Sequence, residues 1–303
     1  MHPVRGAAPA GLALRIRAPA KINWHLRVLG RRPDGTHELE SLFLPLDLAD
    51  EVELWLGGAD AAGSGVELEL ASPETDLARA VPRDASNLAV RAARGFLDAA
   101  GLRRPVRLRL EKRIPAAAGL GGGSSDAGAV LRALSALLPG ALPPEALAAL
   151  ALRLGADVPF FLDPRPALVR GVGERIEPRP GQPARALLLA NPGLPLATAE
   201  VFRAFDALGP ARGGSARPAG EGLSGAEPAN DLEPAAVRLC PPLARLRAAL
   251  RRVGARGVRM SGSGPTLFGA FDDAAGAAAG LARLEELELA PRVWARVAST
   301  VHS

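Results

Sequence analysis

The chain has 303 residues, 48% of them hydrophobic, enough for a sizeable core and about two domains. Its net charge of +5 comes from scattered arginines, and with no tyrosine and only 4% aromatic residues it lacks the stacking platforms of a nucleic-acid binder. A single cysteine, Cys240, excludes an internal disulfide and reads as a small core hydrophobe, and no apolar run is long enough to span a membrane.

Residues 1–11 are rich in Gly, Ala and Pro and are expected to fray; no signal-peptide pattern is read there, and a cytoplasmic protein is expected. Leu12 to Leu29 predicts two strand-like stretches around Pro19. In the second, Ile22, Trp24, Leu26 and Val28 alternate with Lys21, Asn23, His25 and Arg27, so Lys21, Asn23 and His25 share a face. Of the 37 Lys and Arg residues only Lys21 and Lys112 are lysine. A chain that writes its generic surface cation as arginine marks with lysine a place that needs a compact ammonium. Pro33-Asp34-Gly35 predicts a turn, and Ser41 to Leu48, Glu51 to Leu56 and Val66 to Leu70 predict strands, with a loop over Gly57 to Gly65. Ser86-Asn87-Leu88 opens a helix to about Ala100, with Ser86 as the N-cap candidate. Val106 to Leu110 alternates with Arg107 and Arg109 as a strand, and Lys112 leads out of it.

Next comes Pro115-Ala116-Ala117-Ala118-Gly119-Leu120-Gly121-Gly122-Gly123-Ser124-Ser125. Glycine costs backbone entropy and buries nothing, so four glycines in five positions serve close approach of the backbone to a ligand. Ala127, Val130, Leu131, Leu134, Leu137 and Leu138 then recur at helical spacing, with Ser124, Ser125 and Asp126 as capping candidates. A glycine loop feeding a helix N-terminus is an anion site, and nucleotide phosphates are the obvious anion. The loop has no lysine before its Ser-Ser pair, so it is not a P-loop, and the dinucleotide fingerprint fits poorly. A flexible linker is the bland alternative, but linkers do not usually run straight into a capped amphipathic helix.

Pro143-Pro144-Glu145 starts a further helix that stops at Gly155. Asp157 follows, between Ala156 and Val158 and just before Phe160-Phe161, poorly placed for solvent; the alternatives are a functional acid or a turn aspartate. A domain boundary is expected near Asp163-Pro164, dividing the chain into 1–163 and 164–303. Leu168 to Gly173 and Ala186 to Ala190 read as strands, Thr198 to Phe202 begins a helix, and Leu208 to Ala229 is expected to be a mobile loop. A helix from about Pro242 to Val253 precedes Val258-Arg259-Met260-Ser261-Gly262-Ser263-Gly264-Pro265-Thr266-Leu267-Phe268, a second glycine-rich turn between strands. Ala274 to Leu287 is helical and Arg292 to Val297 a closing strand.

The loop 115–125 resembles the phosphate loop of the GHMP kinases, the family of galactokinase, homoserine kinase and mevalonate kinase. Ala18-Pro19-Ala20-Lys21-Ile22-Asn23 is similar to the family's first motif and residues 258–268 to its third. The resemblance implies an α+β, two-domain fold, with an N-terminal domain of ribosomal-protein-S5-like type and a C-terminal ferredoxin-like domain. It implies a small-molecule kinase that uses ATP, with magnesium carried in by the nucleotide. Asp157 matches the catalytic acid-base position and Lys21 its partner, while Asn23 matches an orienting position. Asn87 and Lys112 match positions facing the nucleotide, with a capping residue and a strand-end cation as the structural alternatives. Ser125 is a candidate for contact with magnesium; no residue set has metal-ligand spacing.

Gly30-Arg31-Arg32-Pro33-Asp34-Gly35-Thr36-His37-Glu38-Leu39 narrows the resemblance to members whose substrate is an alcohol with a cytidine diphosphate moiety, on a route to isoprenoid precursors. There His37 matches the position that reads the base edge. Phe202 matches an aromatic that covers one face, with packing in the second-domain core as its alternative. Thr36 stands where many members have a second aromatic. Another small-molecule kinase of the family, or a non-catalytic binding protein of the same fold, are the competing readings. Neither nucleic acid nor membrane is an expected partner.

Overall fold

The computed structural model describes residues 11–58, 65–71, 81–209, 228–289 and 293–301. Residues 1–10, His2, His302 and most of the loops expected at 57–65 and 208–229 lie outside the described residues. The chain gathers into two units: 1–18, 50–113 and 123–162 form the first, and 19–49, 114–122 and 163–303 form the second. A single cut at residue 163 would leave 19–49 and 114–122 with the first unit; by packing they group with the second. Among the described residues no helix is long and apolar enough to cross a membrane.

Two long strands thread both units. β1 (Gly11–Arg31) and β2 (His37–Gly57) are each continuous, where the sequence predicts a break at Pro19 in one and at Ala49-Asp50 in the other. Those expected breaks are where each strand passes from one unit to the other. Proline's fixed φ is compatible with extended backbone, so Pro19 does not end β1.

In the first unit β3 (Val66–Ala71) runs parallel to β4 (Val106–Glu111), and β4 pairs antiparallel with Glu51 to Leu56 of β2. Val106, Leu108 and Leu110 are buried while Arg107 and Arg109 point out to Glu69, the alternation of a sheet with one solvated face. Helices α1 (Leu88–Ala99), α2 (Gly122–Leu137) and α3 (Pro144–Leu154) and the short 3₁₀ turn Pro159–Leu162 complete the unit. Phe96, Leu54, Leu108, Val130 and Leu134 lie in its core. Gly128 lets α2 lie against the 3₁₀ turn, because a Cβ there would stand 2.5 Å from that of Phe161.

In the second unit β2 pairs antiparallel with β5 (Ala167–Gly171), Ser41 opposite Val169, and β5 with β6 (Arg175–Pro178). A separate antiparallel sheet has the order β11 (Trp294–Ser299), β7 (Ala186–Asn191), β10 (Leu267–Phe271), β9 (Arg256–Met260). β7 reads as an unbroken apolar run because both its faces are covered. Leu187 and Leu189 pack with Trp24 and Phe268, whereas Leu188 and Ala190 pack with Leu246 and Met260. Helices α4 (Thr198–Leu208), α5 (Glu233–Leu239), α6 (Pro242–Arg252) and α7 (Ala274–Glu285) belong to this unit, and the short β8 (Ala229–Asn230) pairs parallel with β1 at His25 and Leu26. Cys240 is buried in the second of these clusters, as expected of a small hydrophobe.

Candidate active site

The glycine loop is held by backbone contacts of the second unit. Leu120 O accepts from Lys21 N–H at 3.0 Å, and Ala118 O accepts from Thr266 N–H at 3.2 Å. The Ser261 hydroxyl donates to Gly119 O at 2.8 Å. Ala117, Gly119 and Gly121 have φ of 49°, 75° and 74°. At Gly119 the left-handed backbone coincides with close approach. A Cβ there would collide with Ser261 O and stand 3.1 Å from Gly264 O, so at this position the two glycine-rich turns meet backbone to backbone. After Gly121 the chain enters α2, one turn earlier than capping by Ser124 to Asp126 would place it.

Lys21, in the middle of β1, is 3% exposed. Its ammonium donates to Asn23 Oδ1 at 2.5 Å and lies 4.5 Å from the centroid of the Phe43 ring. Asn23 Nδ2 donates to Ser41 Oγ at 2.8 Å, and Ser41 Oγ donates to the His25 carbonyl at 2.5 Å. Asn23 N–H reaches Ser261 Oγ at 3.2 Å. The period-two reading that put Lys21 and Asn23 on one face therefore holds, and the third motif's Ser261 joins them.

Lys112 is 2% exposed and sits in the first unit between two buried carboxylates. It donates to Asp126 Oδ2 at 2.5 Å and to Asp50 Oδ2; Asp50 Oδ1 also accepts from Arg113 N–H at 2.5 Å. Both lysines of the chain are thus buried and paired, in line with the reading that this sequence reserves lysine for special places. Burial pulls the Lys112 ammonium down, but Asp126 and Asp50 more than offset this and hold it charged. Burial pushes the Asp126 carboxyl up to about 7, against the attraction of Lys112. The expected consequence of Lys112→Met is a loss of stability of ~3–5 kcal/mol, because two carboxylates would be left buried without a cation. Urea unfolding reads this directly, and a midpoint unchanged from wild type would show that the cluster contributes nothing to the fold.

Asn87, not Ser86, is the N-cap of α1: its Oδ1 accepts from Ala89 N–H at 2.9 Å and its Nδ2 donates to Pro82 O at 2.8 Å. Ser86 instead bonds to Asp84, closing the preceding turn. The Asn87 side chain thus fills the capping alternative. Asp157 stands in the first unit in the turn after α3, half-buried rather than buried. In the first turn of α2 the fully buried Ser125 Oγ has no hydrogen-bond partner among the described residues. A buried hydroxyl without a partner is costly, and a ligand oxygen or cation at this helix start would satisfy it.

His37 and Phe202, far apart in sequence, are brought together in the second unit. Their rings stack at 4.6 Å between centroids and 24° between planes, and Phe205 meets the imidazole edge-on at 6.4 Å. His37 Nε2 lies 2.8 Å from Asp206 Oδ1. A carboxylate oxygen accepts, so Nε2 is the donor of this pair. Phe202 is half-buried at the edge of the core rather than inside it. Exposed Thr36 donates to Asp34 Oδ1 at 2.6 Å, closing the Pro33 to Gly35 turn. Nothing in the sequence flags Asp206, Ser41 or Asp50 as a site neighbour.

A phosphate-type glycine loop bound to a second glycine turn, with a buried Lys-Asn pair beside both, defines a small-molecule kinase of the GHMP class. The family models agree: "GHMP kinases N terminal domain" matches residues 87–163 and "GHMP kinases C terminal" matches residues 202–288. A 4-diphosphocytidyl-2-C-methyl-D-erythritol kinase of Granulibacter bethesdensis is 44% identical over 84% of this chain and 84% of its own length. One of Rhizobium johnstonii is 43% identical over 90% of this chain and 89% of its own. The crystal structure of a 4-(cytidine 5'-diphospho)-2C-methyl-D-erythritol kinase superposes with a TM-score of 0.74 at 40% identity, covering 95% of this chain and all of that one. A homoserine kinase from Cytophaga hutchinsonii shares the fold alone, at a TM-score of 0.68 and 19% identity. The chain belongs to the GHMP kinases and, within them, to the 4-diphosphocytidyl-2-C-methyl-D-erythritol kinase family. Its class uses ATP.

Proposed function

We propose that this protein transfers the γ-phosphoryl group of ATP to the 2-hydroxyl of 4-diphosphocytidyl-2-C-methyl-D-erythritol, a cytoplasmic step of the non-mevalonate route to isoprenoid precursors. The observation that carries this reading is the high identity, along nearly the whole chain, to relatives named for that substrate.

Phosphoryl transfer needs the donor phosphates cradled, the acceptor hydroxyl placed in line and the spreading charge neutralised. In this reading residues 115–125 turn backbone N–H groups to the nucleotide phosphates, and the positive end of α2 adds to them. Asp157 accepts the proton of the attacking hydroxyl. Lys21, its ammonium fixed by Asn23, is the second group of the proposed catalytic pair and supplies positive charge for the transfer. Magnesium, arriving with ATP, neutralises phosphate charge; the partnerless Ser125 hydroxyl fits a role beside it, and among the described residues no cluster of His, Cys, Asp or Glu could hold a metal by itself. Asn87, its side chain used as a cap, and Lys112, its ammonium between two carboxylates, are placed beside the nucleotide by the resemblance alone. His37, its ring held by Asp206, stands at the position that the resemblance assigns to reading the cytosine edge. Phe202 matches the aromatic that covers one face of the base, and its ring stands beside His37.

ADP release measured with a panel of alcohols tests the proposal. Turnover with the diphosphocytidyl alcohol is expected to exceed that with homoserine or mevalonate by more than ~10⁴, since a site built to hydrogen-bond a missing group rejects the analogue on that scale. Comparable turnover of mevalonate or homoserine would move the chain to another branch of its family.

A further inference from the structure

The Lys21–Asn23 pair is one end of a chain of hydrogen bonds with a fixed direction. At one end stands an ammonium, which only donates; at the other the His25 carbonyl, which only accepts. Between them Lys21 Nζ donates to Asn23 Oδ1 at 2.5 Å, Asn23 Nδ2 to Ser41 Oγ at 2.8 Å, and Ser41 Oγ to His25 O at 2.5 Å. Ser41 has one hydroxyl hydrogen, and spending it on His25 O leaves its oxygen free only to accept. The Asn23 amide is therefore locked with Nδ2 toward Ser41 and Oδ1 toward Lys21. With the amide turned over, the Asn23 NH₂ would face the ammonium, donor against donor. Lys21, Asn23 and Ser41 are all buried, so water does not repair a broken link.

We propose that Ser41 is a positioning residue of this kinase: its hydroxyl sets the orientation of the Asn23 amide and, through it, the place of the Lys21 ammonium. Ser41 is carried by β2, locked in register opposite Val169 of β5, while Lys21 and Asn23 are carried by β1, so the link fixes the two catalytic-face side chains from the neighbouring strand. The proposal rests on the reading of Lys21 as a catalytic group, and it assigns Ser41 no contact with substrate.

The test compares Ser41→Ala, Ser41→Thr, Asn23→Ala and the double variant Ser41→Ala/Asn23→Ala, each assayed for kcat, the KM for ATP and Tm. Ser41→Ala is expected to lower kcat roughly ten- to a hundredfold with the KM for ATP within about twofold of wild type, the pattern of an interaction lost in the transition state. Ser41→Thr, which keeps the hydroxyl, is expected to recover most of the rate. Because Ser41 acts through Asn23, the double variant should be no slower than Asn23→Ala. If Ser41→Ala yields no folded protein, Ser41→Cys carries the same test, its thiol being a poor hydrogen-bonding substitute. Wild-type kcat in Ser41→Ala, failure of a well-folded Ser41→Thr to recover the rate, or full additivity in the double variant would each overturn the proposal. Inactive wild-type protein would instead count against the proposed reaction.

Discussion

Asp157→Asn and Lys21→Ala are each expected to lower kcat by ~10²–10⁴, the scale on which a positioned acid–base group acts. The acceptor hydroxyl is a poor nucleophile until its proton has somewhere to go, and a neutral amide in place of the Asp157 carboxylate would not take it. Removing Lys21 removes the one cation of the Lys-Asn-Ser chain that joins β1 to β2 and leaves Asn23 Oδ1 without its 2.5 Å donor. The two groups act as a unit in the proposed mechanism, so Asp157→Asn/Lys21→Ala should be little slower than the slower single variant. Steady-state kinetics with Tm as the folding control reads all three. An Asp157→Asn protein that turns over near the wild-type rate removes Asp157 as the base.

The second large effect is expected at Gly119. Alanine in its left-handed conformation costs ~1–2 kcal/mol before any contact is counted. The added methyl would also run into the Ser261 carbonyl, which is backbone and cannot rotate aside, so the loop must shift. Gly119→Ala should raise the KM for ATP at least tenfold, equivalent to ~1.4 kcal/mol or more of lost binding. Gly101→Ala is the control: it too has a positive φ, of 66°, but open space around the position. It should lose a little stability and leave the KM for ATP alone. Wild-type ATP affinity in folded Gly119→Ala would show that the contact between the two glycine turns does not shape the phosphate site.

How far the sequence reaches is set by the distance between partners. Local patterns are legible: the alternation of β4, the glycine loop and its helix, and the third-motif turn all lie where residue spacing puts them. The lysine scarcity also points at real features, two buried ammonium groups with dedicated partners. What spacing cannot give is the far partner. Asp50 and Lys112 are separated by 62 residues, and Asn23 and Ser261 by 238, and nothing near any of them advertises the other. Pro19 misleads in a different way. It reads as a strand breaker, yet extended backbone accommodates its φ, and what changes there is the unit to which β1 belongs. Ser86 and Asn87 are both good caps by residue type, and only the turn that Asp84 closes with Ser86 decides between them. The placing of His37 beside Phe202 follows from the family resemblance; the composition of either segment does not suggest it, and Asp206 behind the imidazole is visible only in the fold.

The most direct measurement follows the first arm of the substrate panel by phosphorus NMR, with wild-type protein, ATP, magnesium and 4-diphosphocytidyl-2-C-methyl-D-erythritol. The expected result is loss of the ATP γ-phosphate signal and equal growth of ADP and of a new phosphate monoester on the 2-hydroxyl, with the cytidine diphosphate intact. ATP that stays unconsumed, or ADP that forms with free phosphate equally well without the alcohol, would contradict it.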